Sequence, residues 1–486
     1  MKAVKRLFFA MMTHKLLYIF LVFTAAMQGA FLQAQTKKAF WVVSTEQAQW
    51  IKTNVRTAFF DINDATADVE ILLNRKQQTI LGWGGCFNEL GWDALNVLPR
   101  ERRDSVLNLF FGAKEGLKYN LCRMPIGASD YARNWYSLNE SPGDFTMQQF
   151  SLKRDEEALL PYIKAAKAIN PTLQVWGSAW SPPSWMKTNG HYACFADKVN
   201  DLQPDKNVPK GQNQLIQTPE YLKAYALYLE KYVKAYTQKG VPISAIHVQN
   251  EPFACQNFPS CVWQASAMAN FVSNYLGPKF KQSGLNTGIW YGTINNGDIK
   301  VFDTVLQNKA ANKYISGVGV QWDGKNAVAT LHQKYPSLKL MQTETECGNG
   351  TFDWKAANYT FGLMKHYFNN GVSAYIYWNM VLNETGKSQW GWKQNAQVVV
   401  NSKTKAVLFT PEYYLFKHFS HYIPAGSVKL ATNGAFTDIL AFETPSHQKV
   451  LVMANTSPLS KQVVIKINKQ KLQVNLQANS FNTIIL

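Results

Sequence analysis

The sequence predicts an α/β protein: a parallel (β/α)8 barrel of the TIM type, joined to a second, smaller all-β sandwich. Three observations carry that expectation. Between about residues 78 and 420, eight short apolar runs alternate with amphipathic segments. The runs are nearly continuous in apolar character, as strands covered on both faces must be. After Pro424 the texture changes to two-residue alternation closed by turn residues, the mark of antiparallel strands.

Taken in order, residues 1–34 read as a secretory signal. Lys2, Lys5, Arg6 and Lys15 precede the apolar run LLYIFLVFTAAM, and small residues lead to Ala34. The run is too short to span a bilayer comfortably, so the expectation is export to a periplasm or the medium, with no stable membrane anchor. Residues 35–75 are strand-rich from about Phe40 to Leu73 and are assigned to the sandwich. Residues 76–423 form the barrel. Its strands are expected in TILGWGGC, YNLCRMPIG, LQVWGSAW, ISAIHVQNE, NTGIWYGTI, ISGVGVQW, LKLMQTETE and VSAYIYWNM.

The clearest helix between them is TPEYLKAYALYLEKYVKAYTQKG. Thr218 can cap it, Pro219 suits its first turn and Gly240 can end it. Leu222, Tyr225, Leu229, Tyr232, Val233 and Tyr236 recur on one face. An open doubly wound sheet is disfavoured, because GWGGC lacks the GxGxxG phosphate turn. Residues 424–486 complete the sandwich with SVKLATNG, FTDILAFETP, QKVLVMANTS, QVVIKINKQ, LQVNLQ and NTIIL. No repeat or low-complexity linker separates the two domains, which are expected to pack rigidly.

Composition narrows the function classes. The 486 residues are 46% hydrophobic, enough for a large core, and carry a formal charge of +18. Removing the leader's four cations leaves +14. There is no run of five like charges and no nucleic-acid motif, so scattered solvated lysines account for the balance. The six cysteines permit disulfides in an exported chain, and Cys255 with Cys261 is the best local pair. No CxxC or HxxxH spacing points to a metal, and no cofactor is implied.

In a barrel of this kind, function sits at the C-terminal ends of the strands. The fourth run ends in Asn250-Glu251 and the seventh in Thr343-Glu344-Thr345-Glu346. Two carboxylates at one barrel mouth suit cleavage of a glycosidic bond: one protonates the departing oxygen, the other attacks the anomeric carbon or activates water. Either glutamate alone could be a structural partner for an arginine such as Arg123. Trp180, Trp322, Trp378 and Asn379 end further strands, and Trp390 and Trp392 follow in the next loop. Flat aromatic faces pack on the C–H faces of sugar rings, although any one tryptophan could be buried for packing alone. Glu344 and Glu346 are two apart and expected on one strand face, so the residues by themselves leave both open.

Seven motifs in order carry a family resemblance: GWGGCFNELGWDAL (82–95), YNLCRMPIGASDYA (119–132), WSPPSWMKTNG (180–190), VQNEP (248–252), GVGVQW (317–322), QTETECG (342–348) and YWNMVLN (377–383). Together they resemble glycoside hydrolase family thirty, the family of lysosomal glucosylceramidase and of microbial β-1,6-glucanases, from about residue 75 to beyond HYIPAGS. The resemblance implies a barrel joined to a sandwich built from both termini, and no cofactor. It implies Glu251 as general acid/base with Asn250 as its sugar-contacting neighbour, and Glu344 as nucleophile, with Glu346 the alternative. Asp130, Trp180, Trp322, Trp378 and Asn379 fall at substrate positions, and Arg123 at a buried arginine that would keep the nucleophile ionised.

One departure stands out. The family commonly has a tyrosine after the strand-six tryptophan, placed to hold the nucleophile; here that residue is Asp323. The nucleophile's orienting partner is therefore unassigned. The expectation is a retaining β-glycosidase of glucosylceramidase type, with an endo-β-1,6-glucanase as the alternative and a catalytically dead sugar-binding module as the rival from another class. The partner is a β-linked glycoside, oligosaccharide or polysaccharide. The polar insert HYACFADKVNDLQPDKNVPKGQ (191–212) bears on exo against endo action, by closing one end of the cleft or lying flat.

Overall fold

The computed structural model describes residues 39–55, 59–60 and 66–486, and the proposed leader lies outside them. Eight parallel strands close into a barrel: β1 (Gly82–Cys86), β2 (Leu121–Ile126), β3 (Gln174–Ala179), β4 (Ile243–His247), β5 (Gly288–Ile294), β6 (Ile315–Gln321), β7 (Leu340–Glu344) and β8 (Val372–Asn379). Each falls within one of the apolar runs read from the sequence. Closure is made where β8 pairs with β1, Ala374 opposite Gly82 and Asn379 opposite Cys86.

The strands are apolar throughout because both of their faces are covered. Outside lie helices such as Pro219–Gln238, whose Leu222, Tyr225, Leu229, Tyr232, Val233 and Tyr236 are all buried. Gly240 takes a left-handed φ of 82° beyond its end. Thr218 is extended, but its side chain makes no capping bond, so the expected cap is not formed. Inside, Leu121, Trp176, Ala245, Trp290 and Met341 plug the barrel. The glycines of GVGVQW make room for that plug. A Cβ on Gly317 would stand 2.6 Å from the Trp290 ring, and one on Gly319 2.5 Å from the His247 imidazole.

Strands from both ends of the chain build the sandwich. Ala39–Thr45 pairs antiparallel with Ser480–Ile485, and Val69–Thr79 with Val428–Gly434. One pairing departs from the expected antiparallel pattern: Lys461–Ile467 runs parallel to Val69–Thr79. Val69–Thr79 leads directly into β1, so its direction is set by the barrel, and Lys461–Ile467 docks on its free edge in the same sense. The barrel core continues into the sandwich through Phe442, Val450 and Phe481. Trp354 stacks on Phe481 at 4.7 Å, and buried His418 bridges the Ser44 and Thr483 hydroxyls.

The expected cysteine pairing is corrected. Cys255 is bonded to Cys194, 61 residues away, and Cys261 is free and buried. The Cys194 N–H donates to the Gln256 carbonyl at 2.8 Å, and this cross-loop ladder brings the two Cα atoms to 5.2 Å. Among the described residues, no helix is long and apolar enough to cross a membrane.

Candidate active site

The mouth of the barrel is organised around one cation. Arg123 projects from β2, completely buried, and places each guanidinium nitrogen on a different element. Its Nε donates to Ser178 Oγ of β3 at 3.0 Å and its Nη2 to Asn250 Oδ1 at 2.6 Å. Nη1 donates to Glu344 Oε2 at 2.8 Å and to the Thr343 carbonyl at 3.1 Å. The guanidinium also lies over the Trp180 ring, 4.4 Å from its centroid. Only an always-charged, planar, five-donor side chain can hold four strands together in this way.

The first carboxylate, Glu344, is the last residue of β7 and is 6% exposed. Its second oxygen, Oε1, accepts from the indole N–H of Trp322 at 2.9 Å. Both oxygens are thus held by fixed donors. Trp322 makes this bond from a left-handed backbone, φ 47°, immediately past the end of β6. Such a φ is uncommon for a bulky residue and is found where surrounding structure enforces it.

The second carboxylate, Glu251, also has a left-handed backbone, φ 45°, four residues beyond β4. Its N–H donates to the Thr293 carbonyl at 3.0 Å, fixing where the chain turns at Pro252. Gln321 Nε2 donates to its Oε1 at 3.2 Å. Burial, then the negative charge of Glu344, pushes its pKa up to about 7, with the Gln321 bond acting in the opposite direction. The two glutamates therefore sit in contrasting settings, one gripped by a cation and an indole, the other with its proton held more tightly than in an ordinary carboxyl.

Asn250 lies between them. Its amide oxygen takes donors from Arg123, from Thr293 Oγ1 at 2.9 Å and from Gln321 Nε2 at 3.3 Å, which turns its NH2 group to the pocket. Asp130, 6% exposed, lines the same pocket with Oδ1 unpartnered. Burial, followed by the charges of Glu344 and Glu251, raises its pKa well above the usual carboxylate range. An unpaired buried carboxyl is costly unless a ligand hydroxyl completes it.

The pocket encloses about 440 Å³ and gathers Asp130, Trp180, Asn250, Glu251, Trp322, Glu344 and Trp392. Three other candidates lie elsewhere. Trp378 is fully buried under the pocket, stacked on Trp180 at 5.2 Å, and does not line it. Asn379 is also buried; it accepts from Asn88 and donates to Gln394 Oε1 at 3.1 Å, so it positions a lining residue. Both belong to β8, whose last residues are covered by the chain returning through 394–397. Trp390 packs on Trp135 at 4.8 Å.

Glu346 does not share a strand face with Glu344, because β7 ends at Glu344. It turns outward to Lys325 at 2.7 Å and the Tyr359 hydroxyl at 2.6 Å. Asp323 turns away from Glu344; its carboxylate accepts from the Gly297 N–H at 2.9 Å and from Asn326 at 2.7 Å.

Four pocket residues escaped the sequence reading, Gln256, Phe258, Asn295 and Gln394, and so did Gln321, which bonds Glu251 from behind the wall. Gln321 and Asn295 follow the rule that exposed Glu251, a polar residue where an apolar strand runs out. The other three sit on loops without periodic signal. Among the described residues, no group of three His, Cys, Asp or Glu side chains could hold a metal ion.

A carboxyl whose pKa is raised by burial, a second carboxylate bonded to a cation and an indole, and amide groups beside them form the equipment of an O-glycoside hydrolase. The particular family follows from comparison. Residues 80–423 match the Glycosyl hydrolase family 30 TIM-barrel domain and residues 426–484 the Glycosyl hydrolase family 30 beta sandwich domain, and the chain belongs to that family. It is 28% identical to Putative glucosylceramidase 1 of Caenorhabditis elegans over 81% of this chain and 77% of that one. It is 26% identical to Endo-1,6-beta-D-glucanase neg1 of Aspergillus fumigatus over 84% of this chain and 85% of that one. The fold is similar to that of SrfJ from Salmonella typhimurium, with a TM-score of 0.82 at 23% identity, covering 92% and 99% of the two chains.

Proposed function

We propose that this glycoside hydrolase is an exported, retaining enzyme that cleaves β-glucosidic bonds by double displacement, with Glu344 as nucleophile and Glu251 as acid/base. The observation that carries the reading is the contrast between the two carboxyls of one pocket: Glu344 bound by Arg123 and Trp322, Glu251 lifted to about 7. Glu251 begins protonated and donates to the leaving oxygen while Glu344 Oε attacks the anomeric carbon. The charge on Glu344 vanishes as the glycosyl ester forms, which lowers the pKa of Glu251 and lets it take a proton from water in the second step.

A separation of about 5 Å between the carboxyls in the sugar complex goes with this mechanism, whereas an inverting enzyme needs room for water. On this reading Asp130 and the Asn250 amide bond sugar hydroxyls, the Trp322 ring packs against the sugar, and the edge of Trp180 forms part of the pocket wall. The two carboxyls supply the acid, base and nucleophile themselves, so no metal or cofactor takes part. The β-gluco specificity is supported by the names of the family relatives, a glucosylceramidase and a β-1,6-glucanase.

The test is the anomer first released from 4-nitrophenyl β-D-glucoside, followed by NMR. The β-anomer is expected, and a 2-deoxy-2-fluoro glucosyl donor is expected to label the peptide containing Glu344. First release of the α-anomer, or label on another residue, refutes the assignment.

A further inference from the structure

Resting on that reading of the pocket, we propose that loops locked together across the barrel mouth make its sugar-binding end blind, so that the enzyme removes single terminal β-linked sugars from the non-reducing end and does not cut within a chain.

In the closed ring, β4 and β8 are diametrically opposite. Loops following opposite strands of an open mouth have no reason to touch. Here Phe258, from the loop after β4, meets Trp392, from the loop after β8, with ring centroids 4.6 Å apart. A second rib lies behind the first. Trp135, after β2, contacts Trp390 at 4.8 Å and stacks on Tyr192, after β3, at 5.7 Å and 14°.

The insert at 191–212 is what fastens these ribs. Its Cys194 is bonded to Cys255, the residue immediately before pocket-lining Gln256. Ser260 N–H donates to the Tyr192 carbonyl at 3.1 Å and Asn200 Nδ2 to the Asn257 carbonyl at 2.9 Å. Beneath them Lys187 is buried, its Nζ shared between the Tyr192 carbonyl at 2.5 Å, the Ser260 carbonyl at 2.7 Å and Ser181 Oγ at 3.0 Å. The loops after β2, β3, β4 and β8 thus form one body, crosslinked by a covalent bond, a buried lysine amine and stacked rings.

The other half of the mouth lacks this roof. Asn295 and exposed Asp323 line it after β5 and β6, and among the described residues no ring pair joins those loops to the arch. Asp130 and Trp180, the residues fitted to hold the sugar, come from β2 and β3, on the roofed side. The acid Glu251 stands where roofed and open halves meet. A sugar seated against Asp130 therefore has wall beyond it, and its leaving group departs over Asn295 and Asp323.

Three probes test this: 4-nitrophenyl β-D-glucoside, 4-nitrophenyl β-gentiobioside, and a β-1,6-gluco-oligosaccharide labelled at its reducing end. The enzyme is expected to release nitrophenol at once from the glucoside, and from the gentiobioside only after a lag in which glucose appears. The labelled oligosaccharide should shorten one unit at a time. Phe258→Ala/Trp392→Ala is expected to abolish the lag, releasing gentiobiose and nitrophenol together, a gain that misfolding cannot produce. Internal cuts by the parent enzyme, lag-free attack on the gentiobioside, a double variant that keeps the lag, or no turnover of any probe overturns the proposal. The retaining reading fails separately, through the anomer released, which the arch does not affect.

Discussion

The indole N–H of Trp322 donates to Oε1 of Glu344 at 2.9 Å, opposite the oxygen held by Arg123. The family's usual tyrosine at the next position is Asp323 here, and the structure explains how the site does without it. The left-handed turn at Trp322 swings the indole onto the carboxylate, and Asp323 instead binds the Gly297 N–H and Asn326. Trp322→Phe keeps the ring and removes the bond. Hydrogen bonds to charged groups contribute about 1.5–3 kcal/mol, so kcat/KM on an aryl β-glucoside should fall roughly 10- to 150-fold. Asp323→Ala, which removes no bond to Glu344, should cost less than Trp322→Phe. Wild-type kinetics in Trp322→Phe would remove Trp322 from the orienting role.

The pKa of Glu251 near 7 gives a signed pH dependence. In the proposed mechanism the protonated form starts the reaction, so kcat/KM should fall tenfold per pH unit above about 7. Stability moves in the same direction. The folded value lies above the ordinary 4.5, so the folded state retains the proton longer than the unfolded chain. The stabilising contribution is complete below pH 4.5, declines from there to about 7 and is lost above. Glu251→Gln stays neutral and should raise Tm relative to the parent at pH 8, with a smaller gain at pH 5. An equal Tm difference at both pH values would contradict burial of the ionised carboxylate.

On the proposed mechanism, Glu251→Ala removes the proton donor and the base while leaving the nucleophile in place. General acid–base catalysis contributes about 10²–10⁴-fold. With a 2,4-dinitrophenyl leaving group, which needs no proton, the variant should show a burst followed by turnover slowed by that factor. Azide, small enough to enter the vacated space, should restore turnover and appear in a β-glucosyl azide. Full activity without azide excludes Glu251 as the acid/base.

Arg123→Ala leaves Glu344 buried without its cation. Removal of one partner from a buried ion pair costs about 3–5 kcal/mol, read as a lowered urea midpoint. Arg123→Lys should rescue little, since an ammonium cannot reach Ser178, Asn250 and Glu344 together. A Lys variant of parental stability would show that charge alone, and not the guanidinium geometry, organises the mouth.

The Cys194–Cys255 bond closes a 61-residue interval. In the chain-entropy account, a loop of that length contributes about 4 kcal/mol. Cys194→Ser and Cys255→Ser should each lower unfolding stability by up to that amount, and dithiothreitol should lower Tm of the parent toward theirs. Equal Tm with and without reductant means that the bond does not form in solution.

Several of these features were legible in the chain. Each barrel strand is a run of apolar residues long enough to cross the barrel, and its neighbours do not alter that. Glu251 announced itself because an apolar strand that ends on a polar pair has to expose it at the mouth. The same logic reaches Gln321 and Asn295. It fails at Trp378 and Asn379, because whether the last residues of β8 face the pocket depends on the segment 394–397 returning over them. It fails at Glu346, where the period-two rule expires with the strand itself. The disulfide could not be read from spacing, since Cys194 approaches Cys255 only once the insert after β3 folds against the loop after β4.

By itself, then, the sequence determined the strands, the helices between them, the two-domain order and the glutamate pair, because these depend on local periodicity and on which residues end each strand. The tertiary structure decided which carboxyl has its pKa raised, which indole holds the other, which cysteines meet and that the loops after β4 and β8 touch. Those outcomes depend on distances between groups remote along the chain, and on the desolvation that appears only when such groups are brought together.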